Sequence, residues 1–257
     1  ATVAVEVPGE WRVVTGMTPD DSTHRFRARD VHDLMDHPVF VGRFDLDSAL
    51  VGGRWMRLAT WPEGSVAGAR RAALWDAVMR SVDPLVAVFG ELPWQRYTIL
   101  QVAHGDVPGM SALEHAESEL ALVGSSFLDE PFVLSIHAHE IAHAWNVKRL
   151  RPADLVPYRY DRAQPTPWLW VSEGITDYYA DLALLRGGIL DESAFLSATL
   201  DKIEGVAARP ATALEDASLQ AWIGIEDGTA DLYYDKGSLA GLALDILIRE
   251  ASGNERS

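Results

Sequence analysis

The sequence predicts an α+β protein in which a β-rich N-terminal domain precedes a mainly helical domain. In the first sixty or so residues, short runs alternate apolar and polar residues between turn residues, which is typical of half-buried strands. From Ala67 onward the composition shifts to helix formers, and the chain after Pro131 is mainly helical in pattern. The segment Trp61-Pro62-Glu63-Gly64 separates the two patterns, so we predict domains at residues 1–62 and 63–257.

The individual elements follow in chain order. A Gly-Gly turn at residues 52–53 precedes the longest predicted N-terminal strand. Leu74, Val78 and Met79 form the apolar stripe of a helix, and we expect a second helix to begin at Pro84 because proline favours the first helical position. The predicted strands are residues 3–7, 25–28, 38–41, 54–60, 97–102 and 120–123.

The most informative stretch is His139-Glu140-Ile141-Ala142-His143, which reads HExxH within a helical pattern. Two histidines four residues apart lie on one helix face, so both imidazoles can reach one ion. Glu140 then lies close enough to deprotonate a water held by that ion. Since the chain has no cysteine, zinc ligation here requires histidine and carboxylate ligands. The alternative is an ordinary helix with two satisfied histidines.

A second helix is predicted to supply the third zinc ligand. It begins after Pro167, and Glu173 lies in it among large apolar and aromatic residues. A carboxylate in such surroundings is costly unless a cation compensates it, so Glu173 is the predicted ligand. Asp177, one turn further on, is placed to accept the N–H of a zinc-bound histidine and orient it. The alternative for each is a solvated surface acid.

A third block is Tyr233-Tyr234-Asp235-Lys236-Gly237, which precedes an apolar helical run. A tyrosine hydroxyl at such a site can donate to the oxyanion that develops during peptide hydrolysis. On its own, a tyrosine pair at the start of a helix more often serves packing.

These blocks together resemble the glycyl aminopeptidase family, which are gluzincin metallopeptidases that often carry a PDZ domain after the catalytic domain. The HExxH stretch continues as Ala-Trp-Asn-Val-Lys-Arg-Leu-Arg-Pro, which is similar to the family signature. Residues 170–179 resemble the segment with the glutamate ligand, and Tyr234-x-Lys236-Gly237 resembles the catalytic tyrosine motif. Leu113-Glu114-His115 is similar to a Gly-Gly-Leu-Glu-His block, the counterpart of the GxMEN motif of related aminopeptidases.

The resemblance implies a zinc aminopeptidase that acts on peptides with a free N-terminus. His139, His143 and Glu173 would hold Zn²⁺, with Glu140 as the base and Tyr234 as the oxyanion donor. By carry-over from the related block, Glu114 would bind the substrate's amino group, and its alternative role is an ordinary acid in a loop. The resemblance also implies small first residues, glycine or alanine. Strands that lead into zinc-bearing helices are the thermolysin-like order.

The chain departs from the family at Ser111 and Ala112, where the family has two glycines. A Cβ at these positions narrows the approach of the substrate backbone, which puts the substrate preference in question but not metal binding. Two other functions therefore stay open. One is an endopeptidase that uses the same zinc site, and the other is a weakly active peptide-binding scaffold.

Composition excludes several other classes. The net charge of −16 disfavours nucleic-acid and anionic-membrane partners, and no run of about eighteen apolar residues predicts membrane insertion. A chain without cysteine suits the cytoplasm and the periplasm alike, and nothing in the sequence sets the oligomeric state. Because family members continue beyond the point that corresponds to Ser257, we expect both domains to be incomplete parts of a longer protein.

Overall fold

A computed structural model describes residues 1–129, 132–224, 228–229 and 231–256. Strands dominate the first part and helices the second, so the predicted α+β fold is confirmed. The strands are β1 Thr2–Ala4, β2 Arg12–Thr15, β3 Thr18–Pro19, β4 Arg25–Arg27, β5 Val39–Gly42, β6 Asp45–Val51, β7 Arg54–Trp61, β8 Arg96–His104, β9 Met110–Glu114 and β10 Ser118–Gly124. The α-helices are α1 Val31–Met35, α2 Gly68–Phe89, α3 Phe132–His143, α4 Ile175–Arg186, α5 Glu192–Ala207, α6 Leu214–Ile223 and α7 Leu232–Ser252.

The main sheet has five strands in the order β6-β7-β8-β10-β9. Strand β8 pairs in parallel with β7 and β10, while the outer strands β6 and β9 pair antiparallel. Helix α2 connects β7 to β8 and packs its apolar face against the sheet, with Val82, Leu85 and Ile99 fully buried in the shared core. Two small sheets, β1-β4-β3 and β2-β5, lie in the N-terminal part.

The main sheet crosses the predicted domain boundary. Strands β6 and β7 lie within residues 1–62, yet β7 pairs with β8 along its length, from Trp55 opposite Arg96 to Trp61 opposite Val102. This pairing favours a division before Asp45, and the division into two domains stays a proposal.

The predicted helix break at Pro84 is wrong, since α2 continues through it to Phe89. Proline inside a helix loses a hydrogen bond and costs about 3 kcal/mol. Val82 and Leu85, on either side of Pro84, are both fully buried, and burying such a side chain contributes about 1.5–3 kcal/mol. The apolar contacts of one continuous helix therefore offset the local cost.

The helical part packs around α4. Ala138 of α3 is buried against Ala180 and Leu184 of α4, which brings the HExxH helix alongside the second predicted helix. The start of α7 packs against residues Trp170–Gly174, which directly precede α4. Within the described part of the chain, no helix is long and apolar enough to cross a membrane.

Candidate metal and catalytic site

Helix α3 presents two histidines side by side. His139 and His143 lie one turn apart, with ring centroids separated by 4.5 Å, and both are buried. The opposite face of the helix carries Ala138 and Ile141 into the core, which fixes the rotation of the helix and hence the direction of both imidazoles. The buried apolar residues and the predicted histidine pair therefore occupy the two faces of one helix.

Glu173 reaches this pair from a π-helix, Trp170–Gly174, that runs directly into α4. Its Oε2 atom lies 3.2 Å from His139 Nε2 and 3.3 Å from His143 Nε2. Short π-helical segments are rare in proteins overall. Those that do occur are often at functional sites, because the extra residue redirects a side chain. Here the extra residue lies in the turn that carries the predicted third ligand.

The contacts of the two histidines show that His139, His143 and Glu173 are suited to bind a cation. His143 Nδ1 lies 2.6 Å from the carbonyl oxygen of Asn146, which can only accept, so Nδ1 donates. His139 Nδ1 lies 3.6 Å from Asp177 Oδ1, and its Nε2 atom lies within hydrogen-bond distance of Glu173 Oε2, at 3.2 Å. In the neutral form, the Nε2 lone pair of His143 then faces the Glu173 carboxylate. A cation between them would relieve that repulsion, and one possible ligand atom from each of the three residues lies within 4.8 Å of the other two.

The charges around the triad favour a cation as well. Burial raises the pKa of Glu173, but the adjacent His143 and His139 outweigh this effect and hold the pKa well below its usual value. Burial lowers the pKa of His139, but its contacts with Asp177 and Glu173 hold the pKa well above its usual value. The site thus stabilises a carboxylate that faces positive charge, as a zinc ligand set of two histidines and one glutamate requires.

Glu140 lies beside His139 and has the features of a general base. It is 6% exposed, and its Oε2 atom has no hydrogen-bond partner among the described residues. Burial raises the pKa of Glu140 to about 7, against the lowering effect of the two histidines. A base with a pKa near neutrality is well matched to proton transfer. The carbonyl oxygen of Glu140 accepts a hydrogen bond from the buried Tyr97 hydroxyl at 3.0 Å, which anchors the helix at this point.

Asp177 lies behind His139, on the side away from the cation position. Lys202 donates to the Asp177 carboxylate, and it also donates to Asp181 at 2.7 Å and to Ser238 at 3.0 Å. Burial raises the pKa of Asp177, but His139 and Lys202 lower it to about 2, so the group is a carboxylate. This geometry suits the predicted role of orienting His139.

Tyr234 lies in the first turn of α7, with its ring centroid 6.1 Å from that of His139. Burial raises the pKa of Tyr234 well above its usual value, and the hydrogen bonds to Glu173 and Tyr233 add to this effect. The hydroxyl is therefore protonated and able to donate. The ring of Tyr233 lies against the Tyr234 ring, with the centroids 4.7 Å apart and the planes tilted by 33°.

A close contact between two glycines sets the position of both Glu173 and Tyr234. An added Cβ at Gly174 would lie 2.5 Å from the Cα of Gly237 and 2.6 Å from the Tyr233 carbonyl oxygen. At Gly237 it would lie 2.6 Å from the Trp170 carbonyl oxygen. All of these are backbone atoms, so a side chain at either position would separate the π-helix from α7.

We expect Gly174→Ala to lower the free energy of unfolding by about 1–3 kcal/mol, as overpacking does, and to weaken metal binding by shifting Glu173. Chemical denaturation and zinc titration would measure the two effects. The matched control is Gly205→Ala in α5, where the nearest atom to the added Cβ is the Asp235 side chain at 3.5 Å. That change should leave metal binding intact and stabilise the helix by up to about 1 kcal/mol. Equal behaviour of the two variants would contradict the account.

Glu114 ends β9, the edge strand of the main sheet, rather than lying in a loop. One oxygen of Glu114, one of Glu140 and a nitrogen of His143 lie within 4.8 Å of one another, so Glu114 borders the metal site. Lys148 Nζ lies 3.7 Å from Glu114 Oε1. A cavity of about 420 Å³ opens here, and Glu114 and Glu173 both line it.

Sequence reasoning missed Asn146, which joins the two segments that carry the candidate metal ligands. Its side-chain amide donates to the Val171 carbonyl oxygen at 2.8 Å and to Thr176 Oγ1 at 3.0 Å, while its own carbonyl accepts from His143. Asn146 belongs to the signature that follows HExxH, which was the available signal. His137, two residues before His139, is not one of the converging residues, and its ring contacts Glu119 and Gln101.

Solved structures identify the class of fold. An aminopeptidase N family protein from Idiomarina loihiensis matches with a TM-score of 0.87 and 27% identity, over 100% of this chain and 47% of that protein. An M1 zinc metallopeptidase from Deinococcus radiodurans matches with a TM-score of 0.50 and 18% identity, over 97% of this chain and 60% of that protein. The chain therefore has a fold found in metallopeptidases, and it spans just under half the length of the first of them.

Sequence comparison with family models gives a more specific assignment than the fold does. The model of the M61 glycyl aminopeptidase family matches residues 133–240, and the model of the Peptidase M61 N-terminal domain matches residues 1–43. Together they span more than half of the chain, and the predicted resemblance to the glycyl aminopeptidase family is confirmed. No curated protein matches the chain.

Proposed function

We propose that the protein is a zinc-dependent aminopeptidase that hydrolyses the first peptide bond of substrates with a free N-terminus. One observation carries the proposal. A buried carboxylate oxygen of Glu140 without a partner among the described residues lies next to a converging His-His-Glu set, and Glu114 opens onto the same cleft. A structural site would satisfy this oxygen, whereas a catalytic one leaves it free for water and the leaving amine.

His139, His143 and Glu173 would hold the zinc ion, a set with a glutamate third ligand that agrees with the gluzincin class. When bound, zinc acts as a Lewis acid toward the substrate carbonyl and lowers the pKa of water to about 7. The remaining residues supply proton transfer, hydrogen bonding and orientation. Asp177, held by Lys202, would keep the ring of His139 in the tautomer that offers Nε2.

Glu140, Tyr234 and Glu114 would each have a separate role in the hydrolysis. Glu140 takes a proton from the attacking water and delivers it to the leaving nitrogen, for which a pKa of about 7 is suitable. Tyr234 donates from its hydroxyl to the oxygen that gains negative charge as the tetrahedral centre forms. Glu114 pairs with the substrate's ammonium group and limits binding to one residue before the bond that is cut.

Strand β9 is proposed to guide the substrate backbone. Among the described residues, β10 is the one strand that pairs with β9, so this edge strand can pair with an extended peptide on its other side. Ser111 and Ala112 lie on this strand, where the family has glycines. Small first residues such as glycine or alanine are the preference that the family supports, and the added Cβ atoms of Ser111 and Ala112 make this preference the part of the proposal that needs its own measurement.

The test compares glycine or alanine anilides with their N-acetylated forms. We expect the wild type to cleave the free forms and to act poorly on the blocked ones, because acetylation removes the charge that Glu114 recognises. Glu114→Ala should keep its zinc and raise KM for free substrates about tenfold to a hundredfold, since a hydrogen bond to a charged group contributes about 1.5–3 kcal/mol.

The matched control is Glu63→Ala, an exposed acid outside the cleft, which should behave as the wild type. Cleavage of blocked peptides at internal bonds, as fast as cleavage of free ones, would assign the site to an endopeptidase. Failure to cleave either class in the zinc-loaded protein would support a peptide-binding scaffold. Either result would contradict the aminopeptidase proposal.

A further inference from the structure

A buried lysine lies between two carboxylates at the edge of the cleft. The Lys148 side chain is 7% exposed, and its Nζ atom lies 2.8 Å from Asp36 Oδ1 and 3.7 Å from Glu114 Oε1. Asp36 ends α1 in the N-terminal part, 112 residues from Lys148 along the chain. The aromatic ring of Tyr158, 5.6 Å from Nζ, lies nearby. The ammonium group is therefore held among fixed neighbours in a largely buried environment.

Both oxygens of Asp36 are engaged. Oδ1 accepts from Lys148, and Oδ2 accepts from the backbone N–H of Ala116 at 2.8 Å. Asp36 is thus tied to the segment just after β9, two residues from Glu114. Asp36, Glu114 and Lys148 all line the cavity of about 420 Å³ beside the metal site. His115 lines it too, is 7% exposed, and has an Nδ1 atom without a partner among the described residues.

The net charge of Asp36, Glu114 and Lys148 determines how strongly this end of the cleft attracts a cationic ligand. One lysine and two carboxylates carry a net charge of about −1 when all are ionised. Burial lowers the pKa of Lys148, but Glu114 and Asp36 raise it above its usual value, so the lysine is charged. Because Lys148 is nearer to Asp36, Asp36 compensates most of its charge. Without Asp36, the same lysine would compensate Glu114 instead, and the group would be neutral.

We infer that Asp36 is a specificity-determining residue, which neutralises Lys148 so that Glu114 keeps its negative charge for the α-ammonium group of the substrate. The inference rests on the proposed aminopeptidase function and extends it to the N-terminal part of the chain. Lys148 then acts as a bridge that holds two carboxylates close together, which would otherwise repel each other. Recognition of a free amino terminus would therefore require the N-terminal part as well as the catalytic part.

The experiment measures kcat/KM for glycine anilide and for N-acetylglycine anilide in the wild type, Asp36→Asn, Lys148→Met and the double variant. Asp36→Asn should lower the ratio of free to blocked activity about tenfold, which corresponds to about 1.4 kcal/mol, with zinc content unchanged. The double variant restores the net charge of −1, so its ratio should return to within about threefold of the wild-type ratio. Asp21→Asn, at a fully exposed acid, is the matched control and should leave the ratio unchanged.

An unchanged ratio in folded, zinc-loaded Asp36→Asn would overturn the inference, as would an equal loss in the single and double variants. If Asp36→Asn does not fold, Lys148→Met alone decides the matter. It leaves two uncompensated carboxylates and should lower KM for the free substrate, and an unchanged or higher KM would overturn the inference. A wild type with no preference for free substrates would instead contradict the proposed function itself, so the two failures are distinguishable.

Discussion

Replacing Glu140 with glutamine is expected to lower kcat about a hundredfold to ten-thousandfold while the protein keeps its zinc. Glutamine has the size of glutamate but cannot accept and return a proton at neutral pH. The metal should remain because Glu140 is not one of the three converging ligands, whose donor atoms come from His139, His143 and Glu173. Steady-state kinetics and metal analysis on the same preparation would measure both effects.

The control for this change is Glu204→Gln, at an exposed position on α5, which should leave kcat and zinc content unchanged. Substantial turnover by Glu140→Gln would exclude Glu140 as the base. Loss of zinc together with activity would show that Glu140 is a metal ligand, which would favour the second possible cluster, made of Glu114, Glu140 and His143.

Tyr234→Phe is expected to lower kcat about a hundredfold to a thousandfold with little change in KM, as the loss of other oxyanion donors does. The phenyl ring keeps the packing against His139 and Tyr233 and removes only the hydroxyl that hydrogen-bonds with Glu173. KM should hold because the interaction forms only as negative charge develops. Rapid measurement of single-turnover rates would separate the chemical step from product release.

Tyr233→Phe is the matched control, since it removes the same hydroxyl from the adjacent residue. Tyr233 lies against the π-helix through its backbone, and its carbonyl oxygen is close to Gly174. Its substitution should reduce kcat only a few-fold. A large loss in Tyr233→Phe and a small loss in Tyr234→Phe would assign the donor role to the other member of the pair.

The convergence of the proposed metal ligands was predictable because helix periodicity is a local property. The four-residue spacing of His139 and His143 determines their common face, and the burial of Ala138 and Ile141 in the core fixes the rotation of the helix. Glu173 could be predicted from its apolar surroundings, but the π-helix that directs it could not. That local geometry depends on the contact of Gly174 with Gly237, which are 63 positions apart.

Other features depend on contacts that no local pattern encodes. Asp36 and Lys148 meet across 112 residues, and neither has a neighbour in sequence that predicts the other. Strand β9 is short and carries polar residues, so Glu114 looked equally compatible with a loop. The preference of proline for the first helical position predicted a new helix at Pro84. The burial of Val82 and Leu85 in one continuous helix outweighed that preference. Local sequence patterns therefore predicted the convergence of the candidate metal ligands better than they predicted the residues of the surrounding cleft.

The central claim is that His139, His143 and Glu173 hold one catalytic zinc ion. An anomalous difference map, measured at the zinc absorption edge on crystals of the purified protein, tests it most directly. The account predicts one strong peak per chain at about 2.0–2.2 Å from both Nε2 atoms and from the Glu173 carboxylate. The peak should be absent in His143→Ala and present in His104→Ala, which changes a half-buried histidine outside the site. A peak among Glu114, Glu140 and His143 instead, or the absence of any zinc peak from the wild type, would contradict it.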